Sequence, residues 1–282
     1  MFYSLNELYK TIGISKQAVF QYQKRQEIFD TKLVQLVMEA DELREEHPGC
    51  GVEKMYYSLA PDFIGRDRFV ETMMQLGYRL KRKKNYKRTT IAGKIYYPNL
   101  IKGMQVNAPN IIWQSDITYI KVDGKHYYAV FIIDVYTKEI VGYSVTDHMR
   151  ATANVKALQM ALRVHPPPKF HHSDRGSQYT YKGYIKILNQ NNTMISMATS
   201  AQDNAYAERI NRTIKEEYLN YWKPKSFTQL KRMIKKAVNN YNEKRLHNNI
   251  ERRIPTQFRT NFSLLASQQR KVITIFNNEI LT

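Results

Sequence analysis

The chain has 282 residues, with 44 Lys and Arg against 25 Asp and Glu, a net charge of +19; such a surplus favours a polyanionic partner, nucleic acid foremost. The length allows one sizeable α/β core with a smaller helical segment in front. A single cysteine, Cys50, excludes a disulfide framework or a Cys-based zinc site and fits a reducing cytoplasm, while the absence of a long apolar run or a leader-like opening argues against a membrane partner.

Residues 1–30 read as a helix-turn-helix. Ser4 to Ile12 and Lys16 to Arg25 are helical, Gly13 permits a left-handed turn, and Ser15 can cap the second helix. Leu5, Leu8, Ile12, Ile14 and Val19 are expected to share a small core. The second helix would present Lys16, Gln17, Gln21 and Lys24 to a DNA groove. An ordinary helical hairpin is the plainer alternative.

Residues 31–90 form a second helical segment. Thr31 to Glu46 is an acidic helix stopped by His47-Pro48-Gly49, and two further helices place Met55, Leu59, Phe69 and Met73 inward before Gly77 ends them. From Arg79 to Lys94 there are eight basic residues and no acidic one. Lys81, Arg82, Lys83 and Lys84 are its densest part, suited to tracking phosphates or to being a solvated linker. A basic linker over 91–108 separates this segment from the next domain.

Residues 109–260 change texture. Ile111 to Val122 reads as a strand, Asp123-Gly124 as a hairpin turn, and Lys125 to Val135 and Ile140 to Thr146 as two more strands. A helix follows over 151–164, a short strand over 169–173, a helix over 181–191 and a strand over 193–197. A long helix capped by Asp203 then runs to about Tyr221. This order predicts an α/β, ribonuclease-H-like core with a mixed five-stranded sheet, preceded by the small all-α region. Residues 261–282 are a tail with little signal.

Three carboxylates carry the chemistry. Asp116 interrupts an apolar strand, where a carboxylate is costly to bury alone. Asp174 follows a short strand and opens a turn through Gly176, the position where α/β sheets place their sites. Glu208 lies near the start of the long helix, with Arg212 and Lys215 on the same face. Singly, each has a bland explanation as a surface or half-exposed acid. Converged, they repel unless a cation sits among them. Their hard oxygen donors select Mg²⁺ or Mn²⁺, and a pair of ions suits in-line displacement at phosphorus. Gln178, His172, Arg209, Arg212 and Lys215 are the neighbouring candidates for DNA contact.

The blocks Trp113-Gln-Ser-Asp116, His171-His-Ser-Asp174-Arg-Gly-Ser-Gln-Tyr179 and Asp203-Asn-Ala-Tyr-Ala-Glu208-Arg resemble the signature blocks of insertion-sequence DDE transposases. The resemblance is to the second-frame type, whose core is similar to retroviral integrases. Tyr241-Asn-Glu-Lys-Arg245-Leu-His247 through Pro255 resembles the end of that core, and the segment from His47 resembles the helical part before it.

The resemblance implies Asp116, Asp174 and Glu208 as catalytic, metal-binding residues and Lys215 as a DNA contact. It also implies double-stranded DNA partners (element ends and target), a homo-oligomer on DNA, in many relatives an upstream-frame partner protein, and residence at the bacterial nucleoid. The 33 residues between Asp174 and Glu208 are slightly fewer than the family's usual spacing, so Glu216 and Glu217 stand as rivals to Glu208. A structure-selective nuclease and a silent DNA-binding repressor descended from a transposase are the alternative functions.

Overall fold

A computed structural model describes residues 5–80 and 97–275. The chain divides into two compact units, residues 1–46 with 50–80, and residues 47–49 with 81–282.

In the first unit, helix α1 spans Leu5–Thr11 and α2 spans Lys16–Glu46 without interruption. The two helices expected at 16–25 and 31–46 are therefore one. No Gly or Pro lies between them, and the joint is bridged by helical-spacing bonds such as Gln26 Nε2 to Asp30 Oδ1 at 3.0 Å and Thr31 Oγ1 to the Glu27 carbonyl at 2.8 Å. The turn before α2 forms as expected: Gly13 has φ +70°, and the amide of Ala18 donates to Ser15 Oγ at 3.1 Å.

The shared core of α1 and α2 does not form. Leu5 and Ile12 are 68% and 54% exposed, and α1 buries nothing. The apolar face of α2 lies further along, where Leu36 and Ala40 pack with α3 (Val52–Leu59) and α4 (Arg66–Gln75) through Met55, Phe69 and Met73.

The second unit is built on a five-stranded sheet. Its strands are β2 (Ile112–Val122), β3 (Lys125–Asp134), β4 (Ile140–Thr146), β5 (Phe170–Ser173) and β6 (Met194–Met197), following the short β1 (Gln105–Val106). The order across the sheet is β4-β3-β2-β5-β6. The first three strands pair antiparallel, and β2–β5 and β5–β6 pair parallel. Asp123 and Gly124 both have positive φ, as the tight Asp-Gly hairpin turn demands. This is the ribonuclease-H-like arrangement expected.

Helix α5 (Thr152–Val164) and helix α6 (Lys182–Gln190) cover one face through Ala157, Leu158, Tyr184 and Leu188. Gly142 on β4 lets α5 approach closely, because a Cβ there would lie 2.3 Å from the Ala157 carbonyl oxygen. The other face packs against α7 (Ala205–Thr213) and α9 (Phe227–Glu243) through Ile210, Leu230, Ile234 and Tyr241. Between them the helix widens into a π turn over Ile214–Leu219 before the short α8 (Asn220–Trp222).

Two segments read as linker and tail contribute to this unit. Strand β1 pairs antiparallel with β7 (Ile273–Thr274), and Ile101, Val106, Ile273 and Ile275 join a core cluster with Ile112 and Phe258 of α10 (Pro255–Phe262). Their apolar residues are sparse and widely spaced, so only the pairing makes them a core. The segment His47–Gly49 also belongs here: His47 Nδ1 bonds the Tyr218 hydroxyl at 2.9 Å, and the Gly49 amide donates to the Glu217 carbonyl at 2.8 Å.

Candidate active site

Parallel pairing of β2 with β5 sets Ser115 opposite Ser173. Asp116 is the next residue on β2 and Asp174 the first after β5, so the backbones that carry the two carboxylates are one interstrand spacing (about 4.8 Å) apart. Both are half-buried. Asp116 Oδ1 accepts from the Ile117 amide at 2.9 Å, and Oδ2 accepts from Asn211 Nδ2 at 2.8 Å. Asp174 Oδ1 accepts from the Gly176 amide at 3.0 Å. A Cβ on Gly176 would sit 3.0 Å from that same oxygen and 3.0 Å from Gln178 Oε1, so a larger residue there would press on the Asp174 carboxylate.

Helix α7 is fastened over β2 by side chains whose role no local sequence pattern marks. The fully buried Gln114 donates from Nε2 to the Asp203 carbonyl at 3.4 Å and accepts the Ala207 amide through Oε1 at 3.4 Å. Asn204 Nδ2 donates to the Ser115 carbonyl at 3.0 Å. Asp203 Oδ2 accepts from the Thr199 amide and hydroxyl and from the Ser200 amide, 2.6–2.9 Å away. These bonds hold its carboxyl down to about 2. The cap expected on the long helix lies earlier: Asp203 is the N3 residue of a 3-10 turn (Ala201–Asn204) and completes a capping box with Ser200 there, whereas α7 itself begins after Asn204, which makes no side-chain cap bond. Asn211 stands three residues beyond Glu208, so its bond to Asp116 turns the Glu208 face of α7 toward the two aspartates.

The electrostatics agree with this convergence. Burial, then the charge of Asp174, then that of Glu208 push the Asp116 carboxyl from 3.8 up to about 7, against the opposing pull of its two hydrogen bonds. Asp174 is raised by burial, and Glu208 by burial and by Asp174, with Arg212 lowering it. Lys215, at the start of the π turn, is half-buried and lowered by burial, while Asp116 draws it back up. Lys215 is thus within electrostatic range of Asp116.

Among the described residues, no group of three His, Cys, Asp or Glu side chains is close enough to form a ready-made metal cage. The donor set nevertheless suits a hard divalent cation. Three carboxyls disfavour one another's charge, and Mg²⁺ keeps several waters, needing only one or two protein carboxylates.

The remaining candidates divide. Arg209 and Arg212 are exposed on α7, and Lys16, Gln17 and Gln21 are exposed on α2. Gln178 donates from Nε2 to the Met149 carbonyl at 3.2 Å, an internal bond. His172 is corrected: it is 0% exposed, its Nδ1 bonds Ser196 Oγ at 2.8 Å, and burial lowers it to about 4. It is a neutral strut between β5 and β6, with no surface open to DNA. His171 is likewise neutral, lowered to about 3 by burial and bonded to the Tyr184 hydroxyl at 2.8 Å. Lys81, Arg82, Lys83 and Lys84 lie outside the described residues. Of the rivals to Glu208, Glu216 is exposed, as Glu208 itself is, but lies eight residues further along, and Glu217 is held by Arg245 through two bonds of 2.6 Å.

Comparison with known proteins bears on the same region. Two family models described as integrase core domain match residues 106–202 and 191–255. The chain is 33% identical over 227 residues to an uncharacterized 31 kDa protein of insertion element IS600 from Shigella sonnei, covering 77% of this chain and 84% of that one. It is 31% identical over 215 residues to the transposase for IS629 of Shigella sonnei, covering 72% and 71%. Among solved structures, the HTLV-2 integrase catalytic core domain in complex with magnesium is similar, at 20% identity and a TM-score of 0.46. That match covers 54% of this chain and 97% of that one. A transposase 31% identical and matched over 71% of its length, together with the integrase core models, carries the assignment: the chain belongs to the insertion-sequence DDE transposases, of the second-frame type with an integrase core.

Proposed function

We propose that this transposase cuts the ends of its insertion sequence and joins the freed 3′-hydroxyls to target DNA, with Asp116, Asp174 and Glu208 as the catalytic carboxylates. The observation that carries the reading is the adjacent placement of Asp116 and Asp174 on paired strands beneath the Glu208 face of α7. The three carboxylates would hold Mg²⁺ or Mn²⁺, two ions in the full site. Bound there, these ions would supply activation of the attacking oxygen and relief of charge on the leaving one.

The chain's own groups do the remaining work. Asn211 fixes the Asp116 carboxylate through Oδ2, and the Gly176 amide fixes that of Asp174. Lys215 and Arg212 offer cations beside the site, placed to hold substrate phosphates. Residues 1–94, with Lys16, Gln17, Gln21 and the basic run at 81–84, are assigned to the terminal repeats. Element-end and target duplexes are the DNA partners, a homo-oligomer is the working assembly, and an upstream-frame product is the candidate protein partner. None of the described helices is long and apolar enough to cross a membrane, and the DNA substrate places the protein at the nucleoid.

The test is joining of element-end duplexes to a second duplex. The expected result is product in Mg²⁺ or Mn²⁺, none in EDTA, and none from Asp174→Asn, whose DNA binding stays near wild type. A product that persists in EDTA contradicts the proposal, and end cutting without joining would make the protein a nuclease.

A further inference from the structure

The π turn over Ile214–Leu219 holds one residue more than an α-helical path needs. Its mark is the Asn220 amide, which donates to the Lys215 carbonyl five residues back. Beyond it the chain returns to α-helical spacing, with the Lys223 amide on the Leu219 carbonyl at 2.9 Å. A surplus residue in a helix can sit at more than one place, so its position must be fixed by contacts. On the α7 side one anchor is Asn211, bonded to Asp116 at 2.8 Å.

On the other side the anchors come from outside the helix and meet on two consecutive residues. The Glu217 carbonyl accepts the Gly49 amide at 2.8 Å. The Glu217 carboxylate takes two bonds of 2.6 Å from Arg245, which follows α9. The Tyr218 hydroxyl bonds His47 Nδ1 at 2.9 Å, and both side chains are buried. The approach of the 47–49 segment is close enough that a Cβ on Gly49 would lie 2.3 Å from the Glu217 Cα. Backbone, carboxylate and ring are thus gripped from two separate parts of the chain, in the middle of the widened turn.

The place of this grip bears on the site. Lys215 is seven residues beyond Glu208, about two turns, and so on the same face. It lies inside the π turn, two residues before the grip. If the surplus residue moved a turn toward α7, Lys215 would swing about 100° off that face, with Glu208 and Asn211 left in place. Ile214, buried in the core, resists the same slide. The grip therefore adds to the core packing and does not replace it.

We infer that His47, Gly49 and Arg245 are positioning residues, which pin the π turn at Glu217 and Tyr218 and so keep Lys215 on the Glu208 face, ready for a substrate phosphate. The phosphate contact rests on the proposed function; the pinning does not.

The test loosens the grip without creating a clash. His47→Phe with Tyr218→Phe removes both partners of one buried bond, a change of small cost to stability. Arg245→Lys keeps the charge and loses the two-pronged hold. Each is made in the full chain, alone and together with Lys215→Ala, and thermal unfolding establishes that each is folded. The first readout is backbone hydrogen exchange by mass spectrometry, without DNA. Amides of residues 211–216 should exchange roughly 5- to 10-fold faster, the worth of about one hydrogen bond, and those of β2 and β3 should keep wild-type protection.

The second readout is binding of an element-end duplex in EDTA as salt is raised. Lys215→Ala should flatten the slope of log affinity against log salt by about 0.9, one phosphate, and weaken binding. Each grip variant should reproduce part of that loss. In the Lys215→Ala background neither grip variant should change slope or affinity further, whereas a merely structural role would add its own loss. Unchanged exchange at 211–216, or faster exchange spread evenly over the unit, overturns the pinning. Additive losses in the Lys215→Ala background overturn the link to Lys215. A slope unaffected by Lys215→Ala itself overturns the phosphate contact in the proposed function and leaves hydrogen exchange to decide the pinning.

Discussion

Replacing Asp116 by Asn should make the metal-free protein more stable at pH 8, and by less than half as much at pH 5. In the folded chain this carboxyl is raised from 3.8 to about 7 by burial, then by Asp174 and Glu208. A carboxyl raised on folding favours the folded state fully below its unfolded value, and that contribution is lost as the pH climbs through about 7. At 1.36 kcal/mol per unit, three units set a ceiling of about 4 kcal/mol on the cost of the charge at pH 8. Partial exposure and the two hydrogen bonds that an Asn can keep only in part reduce this to about 2 kcal/mol. The bond to residue 211 can be rebuilt by turning its amide, because Asn211 Oδ1 is buried with no hydrogen-bond partner. For a unit of this size, that corresponds to a rise of roughly 4–8 °C in Tm. The assay is thermal unfolding of both proteins in EDTA from pH 5 to 8, and again with Mg²⁺, which should stabilise the wild type most at pH 8 and the variant little. A variant no more stable than wild type at pH 8, or equally stabilised at both pH values, would refute the placement of Asp116 in a crowded carboxylate cleft.

Asn211→Leu removes a charge-assisted hydrogen bond to Asp116, so joining should fall about 10- to 100-fold, with a higher Mg²⁺ requirement measured by metal titration. Gly176→Ala crowds the Asp174 carboxylate, and kcat for joining should drop about 10-fold with Tm within a few degrees of wild type. Gly49→Ala would place a Cβ 2.3 Å from the Glu217 Cα, a backbone clash expected to cost about 3 kcal/mol in denaturant unfolding. Arg245→Met leaves Glu217 without its bidentate partner and should destabilise the protein by about 3 kcal/mol, whereas the exposed Glu216→Gln should be neutral.

The catalytic unit was legible because its signals are strong ones. Alternating and apolar strand texture, an Asp-Gly turn and the order of strands and helices specified the sheet, while a carboxylate interrupting an apolar strand pointed to Asp116 and one just past a strand end pointed to Asp174. What could not be read depends on partners distant in sequence. Asn211 and Gln114 look like ordinary polar residues on a helix and a strand until β2 and α7 pack together. His172 lies two residues before Asp174 and so on the same side of β5, but that space is filled by Ser196, which no local pattern announces. The apolar spacing of Leu5, Leu8 and Ile12 suits a helix face, and it misled because α2 spends its own apolar face on α3 and α4. The pairing of β1 with β7 spans most of the unit's length, beyond the reach of any window.

Glu208 is the member of the carboxylate set whose assignment the sequence spacing leaves most open, and the proposed chemistry stands on it. The direct measurement is end cutting and joining by Glu208→Gln beside Glu216→Gln, in Mg²⁺, with circular dichroism showing both folded. Glu216 is eight residues further on, about 12 Å along the helix axis, and exposed. The prediction is no cutting and no joining from Glu208→Gln and near wild-type activity from Glu216→Gln. An active Glu208→Gln with a dead Glu216→Gln would contradict it and move the site along the helix.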